Sequence, residues 1–155
     1  MAKTKILMVC LGNICRSPLA EGILTHKLDP EQFLVDSVGT GSWHVGDPPD
    51  KRSIAVAAGH GIDINHLRGR QLSVNDFENF DHIYVMDQSN LADVLALREK
   101  SNSSTPVTMI LDSIFPGENV DVPDPYHGGR EDFKKVFDML DQACDKIAER
   151  LEKRQ

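Results

Sequence analysis

Cys10 and Arg16, spaced Cys-x5-Arg, are the residues whose types and separation are best suited to chemistry in this chain. A thiolate is a strong nucleophile, and a guanidinium grips two oxygens of a tetrahedral oxyanion at once. Positive charge and N–H donors around a thiol favour its thiolate. A thiolate seated beneath a bound phosphate is placed for in-line attack on phosphorus.

That arrangement needs a strand and a helix on either side of it. Ile6 to Val9 are apolar and partly β-branched, the composition of a buried strand that ends at Cys10. Ser17 then Pro18 reads as a helix start, with a hydroxyl cap followed by proline at the first helical position. Between them, residues 10–16 form a short loop containing one glycine, Gly12. A loop wrapped onto a helix N-terminus aims backbone N–H groups at one point, and the helix dipole adds positive potential there. The sequence therefore predicts an anion cradle with a sulfur at its base.

The full string Val9-Cys10-Leu11-Gly12-Asn13-Ile14-Cys15-Arg16-Ser17-Pro18 resembles the signature loop of the low-molecular-weight protein tyrosine phosphatase family. The resemblance implies an α/β sandwich with a four-stranded parallel sheet, order 2-1-3-4, flanked by helices. It implies Cys10 as nucleophile and Arg16 as the charge clamp. Leu11, Gly12, Asn13, Ile14 and Cys15 form the phosphate-binding loop, and Ser17 hydrogen-bonds the Cys10 sulfur. It further implies that His66 supports the loop through Asn13. Asp124-Pro125-Tyr126 reads by composition as a turn; the resemblance makes Asp124 the general acid and Tyr126 a flank of the cleft. Many members carry a second tyrosine next, where this chain has His127. Asp121 is the alternative acid, outside the motif. Trp43, in a Gly/Pro-rich loop, is either a packing anchor or a wall for an aromatic ligand. The resemblance implies the wall.

The remaining elements follow from periodicity. Helices are expected over 18–28, 50–59, 89–100 with Ser89 as cap, and 130–153, with a short helical turn over 76–80. Further strands are expected over 33–38, 82–86 and 107–111. Phe133, Val136, Phe137, Leu140, Ala143, Cys144, Ile147 and Leu151 form one apolar stripe, which makes Cys144 a core residue. Arg68 and Arg70 read as a solvated connector. Cys15, close to a reactive thiol, is expected either to fill space or to form a reversible disulfide with Cys10 under peroxide. Mass spectra of peroxide-treated protein lacking a 10–15 bridge would exclude the second role.

At 155 residues the chain reads as a single domain over 1–155. Net charge is −7, which argues against nucleic-acid and acidic-membrane partners. Three cysteines, no secretory leader and no transmembrane-length run point to the cytoplasm. A phosphotyrosine-containing protein is the substrate implied, acted on by a monomer or weak dimer with no metal and no cofactor. Two relatives of the same fold offer alternatives. An arsenate reductase needs relay cysteines, and residues 82–97 contain none. A phosphoarginine phosphatase tends to carry threonine where Ile14 stands, and isoleucine offers an apolar wall suited to a phenyl ring.

Overall fold

Seven residues, Thr4–Cys10, make the central strand β1 of the computed structural model, which describes residues 2–153. The chain continues through α1 (Arg16–Lys27), β2 (Phe33–Gly39), α2 (Lys51–Ala58), α3 (Asp76–Asn79) and β3 (His82–Val85). It ends with α4 (Gln88–Arg98), β4 (Val107–Met109), a 3-10 turn (Ile110–Ser113) and α5 (Arg130–Lys153). Among the described residues the strands form one parallel sheet in the order β2-β1-β3-β4, as the resemblance implied.

Both faces of the sheet are covered, which explains why β1 is apolar throughout its second half. Side chains alternate across a strand. Ile6, Met8 and Cys10 point to the core shared with α1 and α5, while Leu7 and Val9 point to the core built around Phe77, Phe80 and Val94. The alternation thus places the Cys10 sulfur on the α1 side of the sheet. Every residue of the predicted α5 stripe is buried, Cys144 included. Each large apolar side chain buried there contributes about 1.5–3 kcal/mol.

Three local expectations are corrected. The fourth strand stops at Met109, and Ile110 and Leu111 enter a 3-10 turn while staying buried. A short buried apolar run does not distinguish extended from helical backbone. Helix α4 is capped by Asp87, whose side chain accepts from the Asn90 N–H, and not by Ser89. Helix α1 begins at Arg16, so Ser17 lies inside it and Pro18 is its third residue, still in the first turn where an N–H has no intrahelical acceptor. The N-terminus of α1 has no side-chain cap. The hydroxyl expected to cap it is used elsewhere.

Candidate active site

The hydroxyl of Ser17 lies 3.0 Å from the Cys10 sulfur. The Asn13 N–H donates to the same sulfur at 3.3 Å. Cys10 is 3% exposed, so β1 delivers it to the floor of the loop as the strand pattern predicted. The loop's carbonyls are claimed from outside. Thr40 N–H bonds Cys10 O, Gly41 N–H bonds Leu11 O, Asp50 N–H bonds Ile14 O, and the Ser53 hydroxyl bonds Cys15 O. A trans peptide directs its N–H opposite to its carbonyl. Outward carbonyls at 10, 11, 14 and 15 therefore turn the next N–H groups towards the centre of the loop. Together with the uncapped start of α1, they form a concavity of donors suited to an anion.

Arg16 completes it. Its side chain is 3% exposed, and Nη1 donates to Asp87 Oδ2 at 2.7 Å and to Val122 O at 2.9 Å. Burial works against the guanidinium charge, but the Cys10 sulfur and the Asp87 carboxylate outweigh it and hold the pKa above its ordinary value. Nη2 lies 3.9 Å from Asp124 Oδ2. Asp87 is a site residue that the sequence reading missed. It uses one carboxylate oxygen to aim Arg16 and the other to cap α4. The available signal was an acid at the carboxyl end of a parallel strand, where ligands of such sheets bind.

Asn13 holds the loop in shape, but not through His66. Its backbone is left-handed at φ 58°, a conformation asparagine tolerates. Its Nδ2 donates to Ser17 Oγ at 2.7 Å and to Ser37 Oγ at 3.0 Å, and its Oδ1 accepts from the Arg70 N–H at 3.0 Å. His66 is exposed and lies in a separate groove with Gly22, Thr25 and His26. Apart from Ser17, the side-chain partners of Asn13 come from β2 and the following chain because those segments already run beside the loop. That closeness requires glycine at position 39, where a Cβ would lie 2.7 Å from Leu11 O. Arg70 is also corrected. It is no free connector, since its side chain spans Asp36 and Asp76 at 3.0 Å each. Arg68 is exposed and bonds only neighbouring carbonyls, as expected of a connector.

The network extends from Ser37, which donates to Glu21 at 2.7 Å. Burial raises the Glu21 carboxyl to about 7, against the lowering effect of the Ser37 hydrogen bond. In the unfolded chain this carboxyl holds its proton only to about 4.5. Between those values the folded state binds the extra proton, so stability contributed here falls as pH rises. Glu21→Gln should therefore gain thermal stability relative to wild type at about pH 8 and lose that advantage by about pH 5. Unfolding scans at the two pH values check this, and a constant offset would contradict it.

A cleft of about 220 Å³ opens above the sulfur. Cys10, Leu11, Gly12, Ile14, Cys15 and Arg16 line its base; Trp43, Asp124, Tyr126 and His127 line its rim, joined by His44, which the sequence reading did not single out. Trp43 is 71% exposed on this rim, so it is not a packing anchor. The His127 ring meets Tyr126 edge-on. The alternative acid, Asp121, lies outside this cleft and accepts from the Gln88 N–H at 2.9 Å. Burial pushes the Cys15 thiol up to about 12, with Asp50 and Cys10 adding to the effect. As a neutral thiol it would react with an oxidised Cys10 more slowly than an ordinary cysteine.

Comparison with known proteins gives a consistent result. The family model described as low molecular weight phosphotyrosine protein phosphatase matches residues 5–155. A low molecular weight phosphotyrosine protein phosphatase of Schizosaccharomyces pombe is 41% identical over 141 residues, 88% of this chain and 89% of its own. The crystal structure of a protein tyrosine phosphatase from Entamoeba histolytica superposes with a TM-score of 0.87 at 34% identity, covering 97% of this chain and 98% of its own. A Drosophila arginine phosphatase superposes with a TM-score of 0.89 at 32% identity, covering 96% and 98%.

Proposed function

The chain belongs to the low molecular weight phosphotyrosine protein phosphatase family and is a cysteine-dependent tyrosine phosphatase; from that premise we propose how its own residues divide the work. Residues 1–155 act as one domain that hydrolyses phosphotyrosine in phosphoproteins. The Cys10 thiolate attacks phosphorus in line, forming an S–P bond as the P–O bond to the phenol breaks. Asp124 gives its proton to the departing oxygen. Arg16 and the inward N–H groups of the loop hold the equatorial oxygens, whose charge they match in the transition state. Asp124, now a carboxylate, takes a proton from the water that cleaves the phosphocysteine and releases phosphate.

Ser17 has the supporting role. Asn13 Nδ2 donates into its oxygen, which leaves the Ser17 hydrogen available to the sulfur. That hydrogen bond holds the thiolate and eases its departure in the second step. Nucleophile, acid and charge clamp are all side chains, so the chemistry calls for no metal. The cysteines are free in the structure, which fits a reducing, cytoplasmic setting. Among the described residues no helix is long and apolar enough to cross a membrane.

The single observation that carries this reading is the Cys10 sulfur under its donors with Arg16 and Asp124 on one cleft. Ile14 and the exposed Trp43 on the same cleft favour an aryl phosphate over the guanidinium of phosphoarginine. The test is turnover of a phosphotyrosine peptide, a phosphoarginine peptide and p-nitrophenyl phosphate, each with and without EDTA. The phosphotyrosine peptide should be hydrolysed at least about tenfold faster than the phosphoarginine peptide, since a mismatched group in such a pocket costs about 1–3 kcal/mol. EDTA should change nothing. A preference for phosphoarginine, or loss of activity with the chelator, would overturn the reading.

A further inference from the structure

A second concavity, about 480 Å³ and larger than the cleft, lies between α2 and the start of α5. Its floor is apolar, made by Val56 and the buried Phe133. Its edges are four cations, Lys51, Arg52, Arg130 and Lys134. This is notable on a chain of net charge −7, because the rest of the surface must then be more acidic still. Two of the four are partly committed. Arg52 pairs with Asp50 at 2.9 Å, and Lys134 approaches Glu131 at 3.7 Å across an exposed surface. The side chains of Lys51 and Arg130 have no ion pair or hydrogen bond among the described residues, and both residues are exposed.

The groove is joined to the cleft by Arg52. Its guanidinium donates to Tyr126 O and Gly128 O at 2.9 Å each and sits 4.4 Å over the Phe133 ring. Tyr126 itself is on the cleft rim. A peptide whose phosphotyrosine enters the cleft past Tyr126 therefore has the basic groove on the other side of the same loop.

We propose that this groove selects substrate by binding acidic residues that flank the phosphotyrosine, with Lys51 and Arg130 as the free cations that pair with them. The proposal rests on the phosphatase reading above and adds to it a preference that the cleft alone does not supply. A floor of Val56 and Phe133 gives an extended segment an apolar bed, and the cations along its edge favour glutamate or aspartate over lysine at the bound positions. Exposed charge pairs are individually weak, so two new pairs change affinity by about fivefold and lose most of that in high salt.

The experiment compares kcat/KM for two phosphotyrosine peptides, alike except that three flanking positions on each side are glutamate in one and glutamine in the other. Wild type, Lys51→Gln/Arg130→Gln and Lys51→Glu/Arg130→Glu are assayed, with p-nitrophenyl phosphate as the reference that touches the cleft alone. Wild type should favour the acidic peptide by about fivefold, through KM, with the preference fading as salt is raised. The glutamine variant should lose the preference and the glutamate variant reverse it, both keeping wild-type turnover of p-nitrophenyl phosphate. Equal use of the two peptides by wild type would overturn the proposal, as would a preference that survives in both variants. So would a uniform loss on all three substrates. Cosedimentation of wild type with phosphatidylserine vesicles, without a peptide preference, would assign the groove to a lipid surface instead. Failure of wild type to hydrolyse p-nitrophenyl phosphate would strike the phosphatase reading itself and is separable from all of these.

Discussion

Cys10→Ser should give a folded protein that still binds phosphate and has lost turnover by about 10⁴-fold or more. The sulfur is replaced by an oxygen with partners already in place, Ser17 Oγ and the Asn13 N–H. The cradle and Arg16 are unchanged, so inorganic phosphate should bind within about threefold of wild type, a difference worth under 1 kcal/mol. What disappears is the nucleophile. A hydroxyl ionises far less readily than a thiol, and among the described residues the groups close to it are donors rather than a base that could deprotonate it. Stopped-flow turnover of p-nitrophenyl phosphate and calorimetric binding of phosphate measure the two halves. Residual activity above about one per cent of wild type would mean that another group attacks phosphorus.

Asp124→Ala should lower kcat by about 10²–10³-fold on substrates with poor leaving groups, the range expected of a general acid. The effect should shrink as the leaving phenol becomes more acidic, because a phenol near the tyrosine pKa of about 10 needs the proton most. The side chain of Asp124 is half exposed. Its loop is held by other contacts, so thermal stability should move by no more than about 0.5 kcal/mol. A series of aryl phosphates assayed with both forms gives the dependence on leaving group. An equal loss across the series would show that Asp124 acts on binding and not on proton transfer. Asp121→Ala is the internal control and should leave kcat near wild type, since that carboxylate accepts from the Gln88 N–H outside the cleft.

The parts of the site legible in the sequence are those held by adjacent residues. The strand pattern of β1 fixed which face Cys10 occupies, and the string 9–18 fixed the loop, so both could be read from a short window. The parts that were misread depend on residues distant in the chain. Asn13 meets Ser37 and Arg70 rather than His66 because β2 pairs with β1 in parallel register and returns past the loop. Spacing alone does not specify which of several polar side chains arrives there. Asp87 was overlooked for a similar reason. It is one acid among 24 until β3 is placed next to β1 and its end is brought under Arg16. Ser17 reads as a cap by local pattern alone, whereas the resemblance gives it the Cys10 sulfur seven residues back, and that is the partner it has.

The loop bearing Asp124 is tied down by contacts from the rest of the fold. Val122 O accepts from Arg16, Val122 N–H reaches Met86 O, and Arg52 holds Tyr126 O and Gly128 O. The proposed acid is thus held in place by the fold itself, and its ordering entropy is met once, during folding. With Asp124 acting as proposed, small and large phosphate esters should meet the same preassembled centre. A small aryl ester should be turned over almost as fast as a whole phosphoprotein, and discrimination among proteins must arise from contacts outside the catalytic pocket.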